Sequence, residues 1–193
     1  MNTYTLNLKP LANLITVEHF EQLCQLNPDL KLETNHQGEL IVMPPTGYET
    51  GMNNAGLIAQ FWNWNRKYQL GVVCDSSTGF ILANGAIRSP DVSWIATERV
   101  ARFTKKEKAK FLPLAPDFVL ELMSPSDSLE ATQAKMKEYQ DNGVKLGWLI
   151  DSQKQQVEVY RIGQFTEILN KPLTISGEEI LTELVIELDF IWE

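Results

Sequence analysis

The sequence predicts an α/β (α+β) chain, a mixed β-sheet flanked by helices with a helix and a hairpin at its N-terminal end. Three observations carry that reading. Residues 115–151, APDFVLELMSPSDSLEATQAKMKEYQDNGVKLGWLID, run as strand, turn, helix, strand, the pattern of a crossover unit. Residues 48–68 form the longest stretch of helical apolar spacing. Short strand-like runs lie both before and after these two, so helices and strands are mixed along the chain rather than segregated.

In chain order, VEHFEQLCQL (Val17 to Leu26) has helical spacing at Phe20, Leu23 and Leu26. Thr16 is placed to cap it, Glu18 and Glu21 suit its first turn, and Asn27-Pro28 ends it. Leu30 to Glu33 and Glu39 to Met43 flank Asn35-His36-Gln37-Gly38, a hairpin signal, and Pro44-Pro45-Thr46-Gly47 is a rigid exit. In the long helix, Asn54, Ile58, Phe61, Trp62 and Asn65 define a face that Leu57 and Trp64 widen, and Gly71 stops it. Val72 to Asp75, Gly79 to Leu82 and Asp91 to Ile95 read as strands, with Asp91 first in its strand after a proline that has no N–H to donate. Phe118 to Met123 is apolar at nearly every position, as a strand covered on both faces should be. SPSD breaks it, with Ser126 or Asp127 as cap of the next helix, which ends near Asn142-Gly143. Leu146 to Ile150 is a second buried strand. VEVYR (157–161) alternates like a strand with one wet face, and Gln164 to Leu169 is its expected partner. Leu173 to Ile175 and Glu178 to Ile180 are short strand pieces, and Leu184 to Ile191 is apolar cover with a short helix.

A chain of 193 residues can bury one real core and is short for two, so residues 1–193 are expected to form a single domain. No apolar run spans a bilayer and no secretion signal opens the chain, which points to a cytoplasmic protein without a membrane partner. Cys24 and Cys74 are isolated thiols, and His19 and His36 are the only histidines, so a zinc site cannot be assembled. The net charge of −8 excludes a general nucleic-acid coat; a polyanion would need a local basic patch or a metal ion. Lys105, Lys106, Lys108 and Lys110 form the concentrated basic run, either a solvated loop or a phosphate-steering one.

Three residues stand out chemically. Glu121 lies inside an apolar strand, where an unpaired carboxylate costs several kcal/mol or more and so requires a cation. Asp91 opens another strand, and Lys135 lies on the crossover helix. Carboxylates on adjacent strands can share Mg²⁺, which takes oxygen ligands and keeps positions for water and phosphate; a nearby lysine adds positive charge where a transition state gains negative charge. Lys135 falls at the margin of the helix face formed by Leu129, Thr132, Met136 and Tyr139, whereas Lys137 points toward solvent.

The segments SPDVSWI (89–95), PDFVLELMSPSD (116–127), Lys135 to Tyr139, Asn142-Gly143-Val144 and WLID (148–151), with Pro44-Pro45-Thr46-Gly47 and Glu49, together resemble the Uma2 family of restriction endonuclease-like proteins, of the type found in cyanobacteria. The resemblance covers nearly the whole chain. It implies the PD-(D/E)xK nuclease fold and a Mg²⁺-dependent site for cleaving DNA, with Mn²⁺ as an alternative ion. By position, Asp91 resembles the motif aspartate and Glu121 the motif acid. Met123 stands where the motif places lysine, and Lys135 resembles a migrated substitute. Glu49 resembles the acid that many members supply from their first helix.

Blander roles stand beside these. Glu121 could serve a salt bridge to Arg88 or Lys135, Asp91 a turn, Glu49 a helix N-terminus, and Lys135 the surface. Asp117 shares Glu121's face and suits an outer supporting role; Tyr139 suits the core, with its hydroxyl near the site. Met123 and the acidic charge also leave room for a nuclease fold used for binding or assembly with little or no catalysis. The aromatic helix and VEVYR offer surfaces for a homodimer.

Overall fold

The computed structural model describes residues 3–7 and 16–193. Its elements are β1 (Tyr4–Asn7), α1 (Val17–Leu26), β2 (Lys31–Thr34), β3 (Glu39–Met43), α2 (Tyr48–Tyr68), β4 (Gly71–Asp75), β5 (Phe80–Ile81), β6 (Ile87–Arg88), β7 (Val92–Ala96), α3 (Thr97–Val100), β8 (Phe118–Leu122), α4 (Leu129–Asp141), β9 (Leu146–Asp151), β10 (Gln156–Arg161), β11 (Glu167–Asn170), β12 (Thr174–Ser176) and β13 (Val185–Glu187). The mixed α+β architecture is the one the sequence predicts, but its strands divide among several sheets.

A six-stranded sheet runs β11-β10-β9-β8-β7-β4 and a five-stranded sheet runs β1-β3-β2-β6-β5. In the larger sheet only β8 and β9 pair in parallel, joined by α4 as the crossover. Side chains of β8 alternate between two cores. Phe118, Leu120 and Leu122 face Leu57, Phe61 and Trp64 of α2. Val119 and Met123 face the other way, onto Met136 and Tyr139 of α4. Both layers are apolar because β8 and β9 are covered on both faces, every residue of each being buried. A third cluster, Phe20, Leu32, Leu40 and Ile87, fixes α1 to the smaller sheet.

Several local expectations need correction. The buried stripe of α2 is Asn53, Leu57, Phe61 and Trp64, at spacings of four and three, so Trp62 falls outside it and is 52% exposed. Gln69, at φ 53°, caps this helix; Gly71 instead begins β4, where a Cβ would lie 2.3 Å from the Ile95 carbonyl oxygen. Ser128, not Ser126 or Asp127, caps α4, and Asp127 accepts the Ser124 N–H in the preceding turn. Thr16 caps α1 as expected, and His19 completes a reciprocal capping pair. VEVYR has no wet face: residues 157–160 are all buried, and Gln133 of α4 donates to Glu158 at 2.7 Å. Glu178 to Ile180 is a turn, and Val185–Glu187 is the strand that pairs with β12. No helix among the described residues is long and apolar enough to cross a membrane.

Candidate active site

β7 and β8 run antiparallel with Val92 opposite Leu120. Carried one residue further, that register sets Asp91 across from Glu121. Directly opposed residues of an antiparallel pair point to the same side of a sheet, with Cβ atoms about 5 Å apart. Asp91 sits one residue before β7, where Pro90 has no N–H for the ladder, and its Oδ2 accepts the Leu122 N–H at 2.9 Å. The two carboxylates therefore sit together at one end of the sheet, on the side covered by α4.

Above them lies α4. Lys135 and Tyr139 are one turn apart and both reach down to Glu121. The Lys135 Nζ is 2.8 Å from Glu121 Oε1, and the Tyr139 hydroxyl donates to the same oxygen at 2.9 Å. Lys135 keeps 13% of its side-chain surface exposed, whereas Lys137 keeps 64% and pairs along the helix with Asp141. The chain thus brings Asp91, Glu121 and Lys135 to one place. Glu49 is in the first turn of α2, exposed and outside the residues that line the adjacent cavity; its neighbours Thr46, Gly47 and Thr50 do line it.

Glu33, on β2, completes the cluster, a residue with only a weak mark in the sequence. It is 1% exposed, with Oε1 3.0 Å from Lys135 Nζ and 2.9 Å from the Ser89 N–H that donates to it. Its Oε2 meets Arg88 Nη1 at 3.1 Å. Arg88 also donates through Nε to Glu138 at 2.6 Å, so the arginine pairs with Glu33 and Glu138 rather than with Glu121. Glu138 is in turn 2.9 Å from His36 Nδ1 in the β2–β3 turn. Lys31, two residues before Glu33 and so on the same side of β2, reaches Asp91 Oδ1 at 3.4 Å. That alternation of Lys31 and Glu33 opposite the buried Leu32 was the available signal, but it does not say what the strand faces.

Charge is unevenly resolved in this cluster. Burial pushes Glu121 up to about 7, aided by the negative charges of Asp91 and Glu33 and opposed by Lys135. Glu33 is as deeply buried, yet the ammonium of Lys135 and the guanidinium of Arg88 hold it down at about 2. Lys135 is held in its charged form, burial notwithstanding, by Glu121 and Glu33. Tyr139 is raised well above its ordinary value, by burial first and the adjacent Glu121 second, and stays a proton donor.

Other candidates lie elsewhere. Asp117 is buried at the far end of β8, where it accepts the Ala96 N–H and pairs with Arg99 at 2.9 Å and Lys145 at 2.8 Å, so it ties the sheet together there. Of the lysine run, Lys110 pairs with Glu21 of α1 at 2.9 Å, and none of the four lysines lines the cavity. Cys24 and Cys74 are free.

The carboxylates and Lys135 line a cavity of about 1120 Å³ between the two sheets, roofed by the β2–β3 hairpin and the start of α4. That is just above the range of small-molecule sites, roughly 300–1,000 Å³. Residues 17–189 match the Uma2 family, described as "Putative restriction endonuclease". The chain belongs to the Uma2 family. A solved structure titled as a putative nuclease belonging to DUF820 from Anabaena variabilis ATCC 29413 superposes with a TM-score of 0.74 at 20% identity, over 92% of this chain and 97% of that one. At that identity the likeness establishes the shared fold. No curated protein matches the chain. Within the Uma2 fold as seen here, Glu121 on β8 pairs with Lys135 from α4, and Met123, two residues after Glu121, is buried against α4.

Among the described residues no group of three or more His, Cys, Asp or Glu side chains is arranged to hold a metal ion. Glu33 is close to Glu121, but both its oxygens are engaged by Arg88, Lys135 and the Ser89 N–H. Asp91 and Glu121 remain as the two acids opposed across the β7–β8 register.

Proposed function

We propose that this chain is a metal-dependent endonuclease hydrolysing phosphodiester bonds in DNA, with Asp91 and Glu121 holding Mg²⁺ (or Mn²⁺) and Lys135 acting on water and phosphate. The observation that carries the proposal is the pairing of two carboxylates across one antiparallel register, on the same face, with a buried ammonium 2.8 Å from one of them. Membership in a family described as restriction endonucleases supports a nuclease.

The residues suit a hard divalent cation. Two oxygen donors from the protein match an ion that keeps several waters and completes its shell with phosphate. Both polar contacts to Glu121 fall on Oε1, and among the described residues no hydrogen bond falls on Oε2. Asp91 Oδ1 meets the partly exposed Lys31 at 3.4 Å, a loose contact that a stronger cation would replace. Glu121, raised to about 7 by burial and by neighbouring acids, is the kind of carboxylate that a positive ion stabilises in its charged form.

When bound, the cation supplies Lewis acidity and charge neutralisation at the phosphate. The protein supplies the rest. Asp91 is oriented by the Leu122 N–H, and Glu121 by the Tyr139 hydroxyl. Lys135 places a fixed positive charge where the phosphate gains negative charge, and in a partly buried site that charge is worth more than in water. Glu49 is left out of this machinery. DNA meets an acidic chain whose local positive charge at the cavity comes from Lys31, Arg88 and Lys135.

The test is cleavage of duplex DNA with and without Mg²⁺. Asp91→Ala and Glu121→Gln should each abolish metal-dependent cleavage while the near-ultraviolet circular dichroism stays native. Wild-type cleavage rates in either variant would reject the assignment. The buried Met123 in the motif lysine's place favours a second reading, a binding or assembly protein on the same fold. That reading predicts no Mg²⁺ uptake in a calorimetric titration at millimolar ion, even with DNA present.

A further inference from the structure

We infer that Glu33 is a positioning residue: it holds the Lys135 ammonium in the site when Glu121 is taken up by a cation. The inference rests on the metal reading for its purpose, but the geometry behind it is independent of any ion. Lys135 Nζ stands between two carboxylates, 2.8 Å from Glu121 Oε1 and 3.0 Å from Glu33 Oε1. A divalent ion on Glu121 would take up the charge of that first partner and repel the ammonium. With no second anchor, a flexible four-carbon side chain at the cavity wall swings outward to water.

Glu33 is built to prevent that. It is 1% exposed, on a strand of the other sheet, so it does not move with α4. Its own position is over-determined: the Ser89 N–H donates to Oε1, and Arg88 pairs with Oε2. Arg88 is itself clamped by Glu138, one turn after Lys135 on α4. The chain Lys135–Glu33–Arg88–Glu138 thus closes on the same helix it starts from. This loop locks α4 to the β2–β3 hairpin, and it charges Glu33 whether or not Glu121 is occupied. Burying a carboxylate costs several kcal/mol, and here two cationic partners and a backbone donor offset that cost and fix the side chain in one position.

The experiment measures acylation of Lys135 in the folded protein by peptide mass spectrometry, with the exposed Lys137 as internal reference. Glu121→Gln stands in for a Glu121 whose charge has been taken up, and it needs no metal. In that variant Lys135 should remain within about threefold of its wild-type protection. Glu33→Gln alone should also stay protected without metal, because Glu121 remains. The double variant should label at least about tenfold faster, a full loss of ion-pair retention. Lys135 labelling at the Lys137 rate in Glu121→Gln alone overturns the inference, and so does a double variant that stays protected, since burial would then suffice. Should the double variant not fold, Glu33→Gln in saturating Mg²⁺ takes its place and should label at least about tenfold faster than the same variant without metal; unchanged labelling overturns the inference. Failure of the metal reading shows separately, as wild-type protein that takes up no Mg²⁺ by calorimetry.

Discussion

The sharpest quantitative consequence concerns Glu121 and pH. Its folded-state value, about 7, lies above its ordinary 4.5, so the folded state binds a proton more tightly than the unfolded chain does. Such a group contributes stability that is complete below the ordinary value and is lost as pH rises through the folded one. At pH 5.5 about one unit of that difference has been lost, and above pH 7 all two and a half. At about 1.36 kcal/mol per unit, the loss between pH 5.5 and 8.5 is about 2 kcal/mol. Glu33 contributes with the opposite sign: held at about 2, it adds stability that is complete above 4.5 and is lost only as pH falls toward 2. It is therefore constant across this window. Urea unfolding followed by tryptophan fluorescence at pH 5.5, 7 and 8.5, in wild type and in Glu121→Gln, reads the effect as a difference, and the shared contributions of other groups cancel. The wild type should lose about 2 kcal/mol relative to the variant across the window, with most of it gone by pH 7.5. A difference that stays flat, or one that grows in favour of the wild type, would refute the argument that burial and neighbouring acids dominate Lys135 at this carboxylate.

Lys135→Met leaves two buried acids facing each other and should cost about 3–5 kcal/mol in urea unfolding at pH 8, whereas Lys137→Met, on an exposed pair, should cost under about 0.5 kcal/mol. Tyr139→Phe removes a buried hydroxyl donor to Glu121 and should cost about 1.5–3 kcal/mol at pH 8, falling at pH 5.5 where the acid is largely neutral. Gly71→Ala drives a Cβ to 2.3 Å from the Ile95 carbonyl oxygen and 2.4 Å from the Trp94 ring, so it should destabilise by about 3 kcal/mol or fail to fold. Gly143→Ala, at φ +98° in open space, meets only backbone strain and should cost about 1 kcal/mol, measured by the same unfolding curves.

How much of this was legible beforehand follows physical lines. The crossover unit was readable because its strands are buried on both faces and its ends carry strong local stops, such as Gly143 at φ +98°. Glu121 announced itself as a charge in an apolar run. Glu33 could not: KLET on an N-terminal hairpin is an ordinary half-polar strand, and its partners Arg88 and Lys135 lie 55 and 102 residues away. The face of α2 was mis-phased because aromatic residues at positions 61, 62 and 64 point around much of the helix, and only the sheet beneath selects among them. VEVYR looked half-wet because Glu158 is charged. In the folded chain α4 covers it, and Gln133 and Tyr160 satisfy the carboxylate.

The separation of 102 residues between Glu33 and Lys135 has a bearing on the order of events at the ribosome. The hairpin is synthesised early, and the helix that closes over it arrives after about two thirds of the chain. Closing a loop over so long a span carries an entropic cost and has to wait for α4 to be made. A growing polypeptide therefore carries Glu33 well before the ammonium that will neutralise it, and the charged cluster cannot form until α4 has been made.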